Sequence, residues 1–206
     1  LNSPDRVLQD EQRCHRRICS RVIIGDCTAA DTESDARRLL GVMSARVPKI
    51  YSRPRGIRDA MSNMFELQAA SALVTGAGAG IGRAIARAFA QAGAAVCVTD
   101  RNQDKVDRVA SEITQAGGRA VAMVCDVTRE SDLEAAVSRT VEELGGLTIL
   151  VNNAGGGGPK PFDMPMTDMR AAFELNVFSA FRLCQLAAPR MEAAGGGAIV
   201  NISSMA

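Results

Sequence analysis

From residue 70 onward, the chain alternates short apolar runs with longer segments whose apolar residues recur at helical spacing. Five such runs are predicted strands, at residues 72–75, 95–99, 120–125, 147–151 and 198–202. The segments between them predict amphipathic helices, the last over about residues 166–194. Near-continuous apolar strands that alternate with helices are typical of a parallel sheet covered on both faces. Since such crossovers are right-handed, we predict an α/β fold with a doubly wound parallel sheet.

The first 60 residues differ in character from the rest of the chain. They hold 12 Lys and Arg against 8 Asp and Glu, and they show no sustained strand or helix period. Residues 61–206 are net acidic and carry 16 of the 19 glycines. We therefore predict a poorly ordered extension over residues 1–60, with one candidate helix at residues 32–43, and a folded domain over residues 61–206. Met61 and Met64 precede the first convincing strand and are candidate start sites.

The composition excludes several classes of protein. The net charge of +1 provides no strong field for nucleic acid or a membrane surface. No apolar run reaches the 18 or so residues of a transmembrane helix. The six Cys are irregularly spaced and no secretory signal is evident, so we expect reduced thiols in a cytoplasmic protein.

Metal binding is also disfavoured by the sequence. A single His rules out a multi-His site and makes a His-based triad implausible. Four potential zinc ligands lie close together in the sequence, namely Cys14, His15, Cys19 and Cys27. The gaps of four and seven residues between the cysteines lack the paired spacing of a zinc site. We expect no metal cofactor.

A glycine-rich loop joins the first predicted strand to the first helix of the domain. It reads Thr75-Gly76-Ala77-Gly78-Ala79-Gly80-Ile81-Gly82. A pyrophosphate needs close backbone approach and the N-terminus of a helix behind it. Gly76 can form the tight turn, Gly80 can admit the phosphates, and Gly82 can allow close packing of the helix. Ile81 lies between Gly80 and Gly82 at the start of the helix. The alternative is a tight strand–helix turn without a ligand.

Acidic residues follow the next two strands. Asp100 ends the second strand, where a carboxylate can accept both hydroxyls of an adenosine ribose and repel a 2′-phosphate. We therefore predict NAD as the cofactor, although Arg101 is a residue type that holds a 2′-phosphate and keeps NADP open. Asp126, after the third strand, is placed to contact the adenine amino group. Both aspartates have an alternative role at a turn or helix start, and Thr128 is the expected N-cap of the next helix.

Five motifs in register resemble the short-chain dehydrogenase/reductase family. The resemblance covers about residues 65–206, and it implies a Rossmann-type NAD(P)-binding domain over residues 61–206. The motifs are Thr75-Gly76-x-x-x-Gly80-x-Gly82, Asp126-Val127, Asn152-Asn153-Ala154-Gly155, Asn176-Val177 and Asn201-Ile202-Ser203-Ser204. No part of the resemblance extends to residues 1–60.

The resemblance implies a role for each matching residue. Asn152, Ala154 and Gly155 would line the cofactor cleft, and Asn152 would also tie strands together. Asn176 would hold a water in a proton relay, although it could instead cap a helix kink. Ser204 would donate a hydrogen bond to the substrate carbonyl oxygen, and Ser203 is the rival position for that role.

A narrower likeness points to the substrate. The run at residues 152–166 and the ending Ser204-Met205-Ala206 resemble bacterial hydroxysteroid dehydrogenases. This implies an NAD-dependent oxidoreductase of secondary alcohols, with a bile acid or other hydroxysteroid as substrate and a homotetrameric full-length protein. Alternatives in the same family are a 3-oxoacyl thioester reductase and a sugar-alcohol dehydrogenase.

The sequence departs from the family at the general acid. The family places a Tyr-x-x-x-Lys motif about thirteen residues after the Ser, whereas the single tyrosine here is Tyr51, followed four residues later by Arg55. We therefore expect these 206 residues alone to be an inactive nucleotide-binding fragment. We also expect a sheet that is incomplete at its C-terminal side, with residues 198–202 as an unpaired apolar edge.

Overall fold

The computed structural model describes residues 66–157 and 161–203 with their side chains, together with the backbone of one early strand, β1 (Ile18–Ile24). The later strands are β2 (Ser71–Val74), β3 (Ala95–Asp100), β4 (Arg119–Val124), β5 (Ile149–Asn152) and β6 (Gly197–Ser203). The helices are α1 (Gly80–Gln91), α2 (Gln103–Gln115), α3 (Glu130–Leu144), α4 (Met166–Phe173) and α5 (Ser179–Ala193). A π-helical turn, Glu174–Phe178, joins α4 to α5.

In the part of the chain that is described, six strands form one parallel sheet in the order β1-β6-β5-β2-β3-β4. The chain builds outward from β2 to β4 and then returns to β5 on the other side of β2. The direction of winding therefore reverses between β2 and β5, which makes this the topological switch point of the sheet. The predicted doubly wound, Rossmann-type α/β fold is confirmed.

Two apolar layers cover the two faces of the sheet, because successive strand residues point to opposite sides. On one face, Val74 and Val96 pack with Phe89 of α1 and Val109 of α2. On the other face, Leu73, Cys97 and Leu150 pack with Leu133 of α3 and Leu183 of α5. Both layers contain side chains with no exposed surface, as expected for strands buried on both faces.

Residues 18–24 contribute a strand to the sheet, which corrects one expectation. β1 pairs in parallel with β6, from Ile18 opposite Gly197 to Ile24 opposite Ser203. The prediction of an unpaired edge at residues 198–202 is therefore wrong, whereas the poorly ordered character of the extension as a whole stays a prediction. The β-branched residues of β1 favour extended backbone, and pairing satisfies the N–H and C=O groups that β6 would otherwise present. The candidate helix at residues 32–43, Tyr51, and the Cys14, His15 and Cys27 group lie outside the described residues.

No helix in residues 66–157 and 161–203 combines the length and the apolar composition that crossing a bilayer requires.

Candidate functional site

The structure gathers most of the sequence-predicted site residues at the carboxyl edge of the sheet. The glycine loop follows β2, Asp100 ends β3, and Asn152 ends β5; these three strands are neighbours. Asp126 follows β4 at the same edge. Ligands of doubly wound sheets bind outside the carboxyl ends of the strands at the switch point. The edge is therefore the candidate functional site.

The loop glycines occupy positions that larger residues could not fill without displacement. Gly76 has a φ of +61°, and a Cβ there would lie 3.0 Å from the Cα of Ala154. A Cβ on Gly82 would lie 2.4 Å from the carbonyl oxygen of Gly76 and 2.5 Å from Nδ2 of Asn153. The close packing predicted at Gly82 is therefore between the start of α1 and the backbone of the glycine loop. Gly80, with a φ of +53°, has no neighbouring atom within 4 Å of its Cβ position, so space is open there.

Helix α1 begins without a capping side chain. Ala79 stands at its N-cap, and the first turn contains no acidic residue. In contrast, the N-cap of α2 is Asn102, whose side-chain oxygen accepts a hydrogen bond of 3.0 Å from the backbone N–H of Lys105. The first N–H groups of a helix are electropositive, and without a cap they are suited to an anion. Ile81 lies half-buried in this first turn and packs against the core.

The hydroxyl of Thr75, to which the sequence motif gave no role, holds the loop in place. The buried Thr75 Oγ1 accepts hydrogen bonds from the backbone N–H groups of Asn153 (3.0 Å) and Ala154 (2.9 Å). It also donates to the carbonyl oxygen of Val151. Asn153 Nδ2 donates to the carbonyl oxygens of Thr75 (2.9 Å) and Gly76 (3.2 Å). The two loops that flank the switch point are thereby locked to each other.

Replacing Thr75 with valine is expected to lower the free energy of unfolding by about 2–3 kcal/mol, because two N–H groups lose their acceptor. Thr99→Val is the matched control, since the buried Thr99 makes a single donated bond, to the Val74 carbonyl oxygen. The control should cost about 1 kcal/mol. Urea denaturation measures both changes. Equal losses in the two variants would show that the Thr75 hydroxyl does not organise the loops.

Asp100 faces the glycine loop. Its Oδ2 accepts a hydrogen bond of 3.3 Å from the N–H of Gly78, and its Oδ1 accepts one of 3.1 Å from the N–H of Asn102. A Cβ on Gly78 would lie 2.8 Å from the same Oδ2 atom. The carboxylate and the glycine loop are therefore in contact, as is required if one dinucleotide is to bind to both.

Asp126 is held in a tight turn by the residue that was expected to cap α3. Its Oδ1 accepts hydrogen bonds from the N–H (3.0 Å) and the hydroxyl (2.7 Å) of Thr128, and these bonds lower the pKa of Asp126. The N-cap of α3 is instead Arg129, without a side-chain cap bond, so the prediction for Thr128 is wrong. The competing partner is Asp126 itself, which recruits Thr128 into its own turn. Val127 is buried in the core beneath α3.

Asn152 ties two strands together, as the resemblance implies. Its Nδ2 donates to Oδ1 of Asn201 (2.8 Å), its register partner on β6, and lies 3.5 Å from the sulfur of Cys184. Asn152 is buried, and its Oδ1 is without a hydrogen-bond partner among the described residues. The amide pair fixes the end of β5 against the end of β6, two residues before Ser203.

Asn176 lies in the π-helical turn between α4 and α5. Its Oδ1 accepts from the N–H of Gly156 (3.0 Å), and its Nδ2 donates to the carbonyl oxygens of Gly156 (3.0 Å) and Ala172 (2.8 Å). A Cβ on Gly155 would lie 2.8 Å from the same Oδ1. The side chain therefore stabilises the helix irregularity and fastens the loop after β5. The water-holding role stays a prediction.

The end of β6 carries the two candidate serines. Ser203 is the last residue of β6 and is half-buried. Ser204 lies outside the described residues, together with the two that follow it. Its assignment over Ser203 therefore stays a prediction from the resemblance.

The cysteines near the site are poor nucleophiles. Burial raises the pKa of Cys97 to about 11 and that of Cys125 to about 12, and it also raises the pKa of Cys184. All three thiols are free, and burial keeps them protonated at neutral pH. Within residues 66–157 and 161–203, no group of three His, Cys, Asp or Glu residues is arranged to hold a metal ion.

A groove of about 530 Å³ lies at the opposite edge of the sheet, lined by residues that include Gln68, Gly93, Gly118 and Arg119. None of the sequence motifs reaches this groove. We place the candidate site at the carboxyl edge because the uncapped helix, the glycine loop and Asp100 meet there.

Comparison with known proteins gives consistent matches to the same part of the chain. The model of the short chain dehydrogenase family matches residues 70–206. The 7α-hydroxysteroid dehydrogenase of Escherichia coli K12 is 57% identical over 145 residues, which are 70% of this chain and 57% of that protein. The D-threitol dehydrogenase of Mycolicibacterium smegmatis is 37% identical over 143 residues, 69% of this chain and 55% of that protein.

Among solved structures, a 7α-hydroxysteroid dehydrogenase complexed with NADH and 7-oxo glycochenodeoxycholic acid is 56% identical, with a TM-score of 0.68. That match covers 70% of this chain and 56% of the other. The chain thus spans a little over half the length of the relatives that it matches.

Proposed function

The chain belongs to the short-chain dehydrogenase family. We propose that it binds NAD(H) at the carboxyl edge of its sheet and forms the cofactor-binding part of an oxidoreductase that acts on secondary alcohols. The observation that carries the proposal is the uncapped N-terminus of α1, which opens onto free space at Gly80. The same loop contacts the carboxylate of Asp100 through Gly78. An anion site next to a ribose-binding carboxylate is the pattern expected for a dinucleotide.

The residues present fit such a cofactor. The first N–H groups of α1 would bind the pyrophosphate, with Gly76, Gly80, Ile81 and Gly82 shaping the approach. Asp100 would accept the hydroxyls of the adenosine ribose. The remaining predicted contacts are with the adenine and the cofactor cleft, from Asp126, Val127, Asn152, Ala154 and Gly155.

When bound, the nicotinamide supplies hydride transfer. The protein's own part is to orient the cofactor and polarise the substrate carbonyl. We assign that polarisation to a hydrogen bond from the Ser204 hydroxyl, and we assign to Asn176 the placement of a water for the proton relay. The ionised state of Asp126, favoured by its bonds to Thr128, suits a carboxylate that accepts from an adenine amino group.

For the complete protein, we propose a hydroxysteroid substrate oxidised or reduced at C7. The support is the similarity to the 7α-hydroxysteroid dehydrogenase complexed with a 7-oxo bile acid. A sugar alcohol is the second candidate, supported by the similarity to D-threitol dehydrogenase. Turnover of a 7α-hydroxy bile acid, D-threitol and a 3-oxoacyl thioester by the complete gene product would distinguish the substrate classes. Steroid turnover supports the proposal, and turnover of either other compound alone overturns it.

We further propose that the complete protein is cytoplasmic and homotetrameric. The free thiols of Cys97, Cys125 and Cys184 support a reducing compartment. Three aromatic side chains on the π-helical turn and its neighbouring helices, Phe173, Phe178 and Phe181, are 46–64% exposed and support burial against another polypeptide surface.

The chain is expected to bind NADH more tightly than NADPH, because Asp100 repels a 2′-phosphate. Asp100→Ala should narrow this preference by about tenfold, which corresponds to about 1.4 kcal/mol. Calorimetric titration of both cofactors provides the measurement. Glu142→Ala removes an exposed carboxylate near the opposite edge of the sheet and is the control. Tighter binding of NADPH by the unmodified chain would defeat the assignment.

A further inference from the structure

Two side chains of opposite charge hold the same residue of the glycine loop. The N–H of Gly78 donates to the carboxylate of Asp100 at 3.3 Å, and Nη2 of Arg108 donates to the carbonyl oxygen of Gly78 at 3.3 Å. Asp100 ends β3, whereas Arg108 lies in the second turn of α2. A ligand group that reaches the carboxylate therefore also comes close to the guanidinium.

Other charges surround this contact. Lys105 packs beside it, since a Cβ on Gly78 would lie 2.7 Å from the Cβ of Lys105. Arg101 follows Asp100 directly and is exposed, and its charge contributes to the lowered pKa of Asp126. Asp104 and Asp107 add negative charge on α2, and Asp107 accepts a hydrogen bond of 2.8 Å from Gln103. Cations other than Arg101 thus stand on the side of the loop where Asp100 lies.

We propose that Arg108 is a specificity-determining residue that gives the cofactor site a latent affinity for the 2′-phosphate of NADP(H). The inference rests on the proposed function, because it concerns the same cofactor site. The guanidinium is exposed, always charged, and forked so that it can donate two hydrogen bonds to a phosphate. Its present acceptor is one neutral carbonyl oxygen, which a dianionic phosphate outcompetes.

The cofactor preference of this chain is then a balance of two opposed groups. Asp100 favours the free ribose hydroxyls and repels the phosphate, whereas Arg108 attracts the phosphate and is indifferent to the hydroxyls. Removing Asp100 alone should leave a site that is already equipped to bind NADPH.

The test measures dissociation constants for NADH and NADPH with four versions of the chain. They are the unmodified protein, Arg108→Gln, Arg108→Lys and the control Arg190→Gln. Arg190 is an exposed residue in the last turn of α5, near the opposite edge of the sheet, and its loss changes the net charge equally. Arg108→Gln should weaken NADPH binding about tenfold, as expected for one charge-assisted contact at an exposed position, and NADH binding less than about twofold. Arg108→Lys should fall between, because it keeps the charge and loses the fork.

The same titrations in an Asp100→Ala background isolate the contribution of Arg108. There, the NADPH affinity should rise toward the NADH affinity, and adding Arg108→Gln should remove most of that gain. The NADPH affinity should also decline more steeply with added salt than the NADH affinity, because the interaction is between exposed charges.

The outcomes separate this inference from the proposed function. If NADH does not bind the unmodified chain, the proposed function fails. If NADH binds but Arg108→Gln weakens both cofactors equally, Arg108 only positions the loop, and the inference is overturned. It is also overturned if Arg108→Gln and Arg190→Gln give the same NADPH affinity.

Discussion

A polypeptide of these 206 residues is expected to give no measurable NADH formation with a 7α-hydroxy bile acid, even if it binds the cofactor. The proposed mechanism needs a proton donor and acceptor at the substrate oxygen, and the single tyrosine of the sequence, Tyr51, precedes the glycine loop. Loss of the general acid alone typically lowers the rate by about 10²–10⁴-fold. Poor positioning of the substrate adds to that loss.

The comparison for this assay is a chimaera. In it, the chain is continued with the part of the Escherichia coli 7α-hydroxysteroid dehydrogenase that follows the matched residues, which the high identity makes compatible. NADH formation by the chimaera and none by the short form is the expected result. Rates within a few-fold of each other would contradict it and would require another acid among the residues printed.

The second large effect is expected at Gly82. Gly82→Ala should raise the dissociation constant for NADH by about 100-fold, equivalent to about 2.7 kcal/mol, which is within the cost of overpacking. The new Cβ would lie 2.4 Å from the backbone oxygen of Gly76 and would push α1 away from the loop that receives the pyrophosphate. Calorimetry measures the affinity, and circular dichroism checks that the variant remains folded.

Ala84→Val is the matched control for Gly82→Ala. Ala84 lies on the same helix and is only half-buried, so a larger side chain there should change the affinity less than about threefold. An unchanged NADH affinity in Gly82→Ala would mean that the cofactor does not use this loop.

The architecture of residues 66–157 and 161–203 followed from the sequence because the strands are mainly apolar and the helices have one apolar stripe. Glycines follow helices α1, α2, α3 and α5, and each predicted strand agrees with the observed one to within two residues at either end. Local signals were sufficient here, because each strand and helix of a parallel sheet buried on both faces shows its own hydrophobic pattern.

The strand β1 could not be predicted because its pairing partner is far away in the sequence. Cys19, Ser20 and Arg21 interrupt its β-branched residues, so the segment has neither alternation nor a continuous apolar run. Its stability comes from the open edge of β6, which only the assembled sheet presents.

In the site, sequence reasoning identified the loop and Asp100 but missed what holds them. Thr75 looked like the end of an apolar strand, whereas its hydroxyl satisfies two N–H groups of the loop after β5. A signal was available, because a polar residue that ends a buried strand must find a partner. Arg108 gave no signal, since a solvated helix face is the ordinary place for an arginine.

The central claim is that NAD(H) binds at the carboxyl edge of the sheet. The most direct measurement is the change in backbone amide NMR shifts when NADH is added to the ¹⁵N-labelled chain. The account predicts saturable shifts at Gly76, Gly78, Gly80 and Gly82 and after β5, with none at the groove of the opposite edge. Shifts confined to that groove, at Gly93 and Gly118 for example, or no saturable shifts at all, would contradict it.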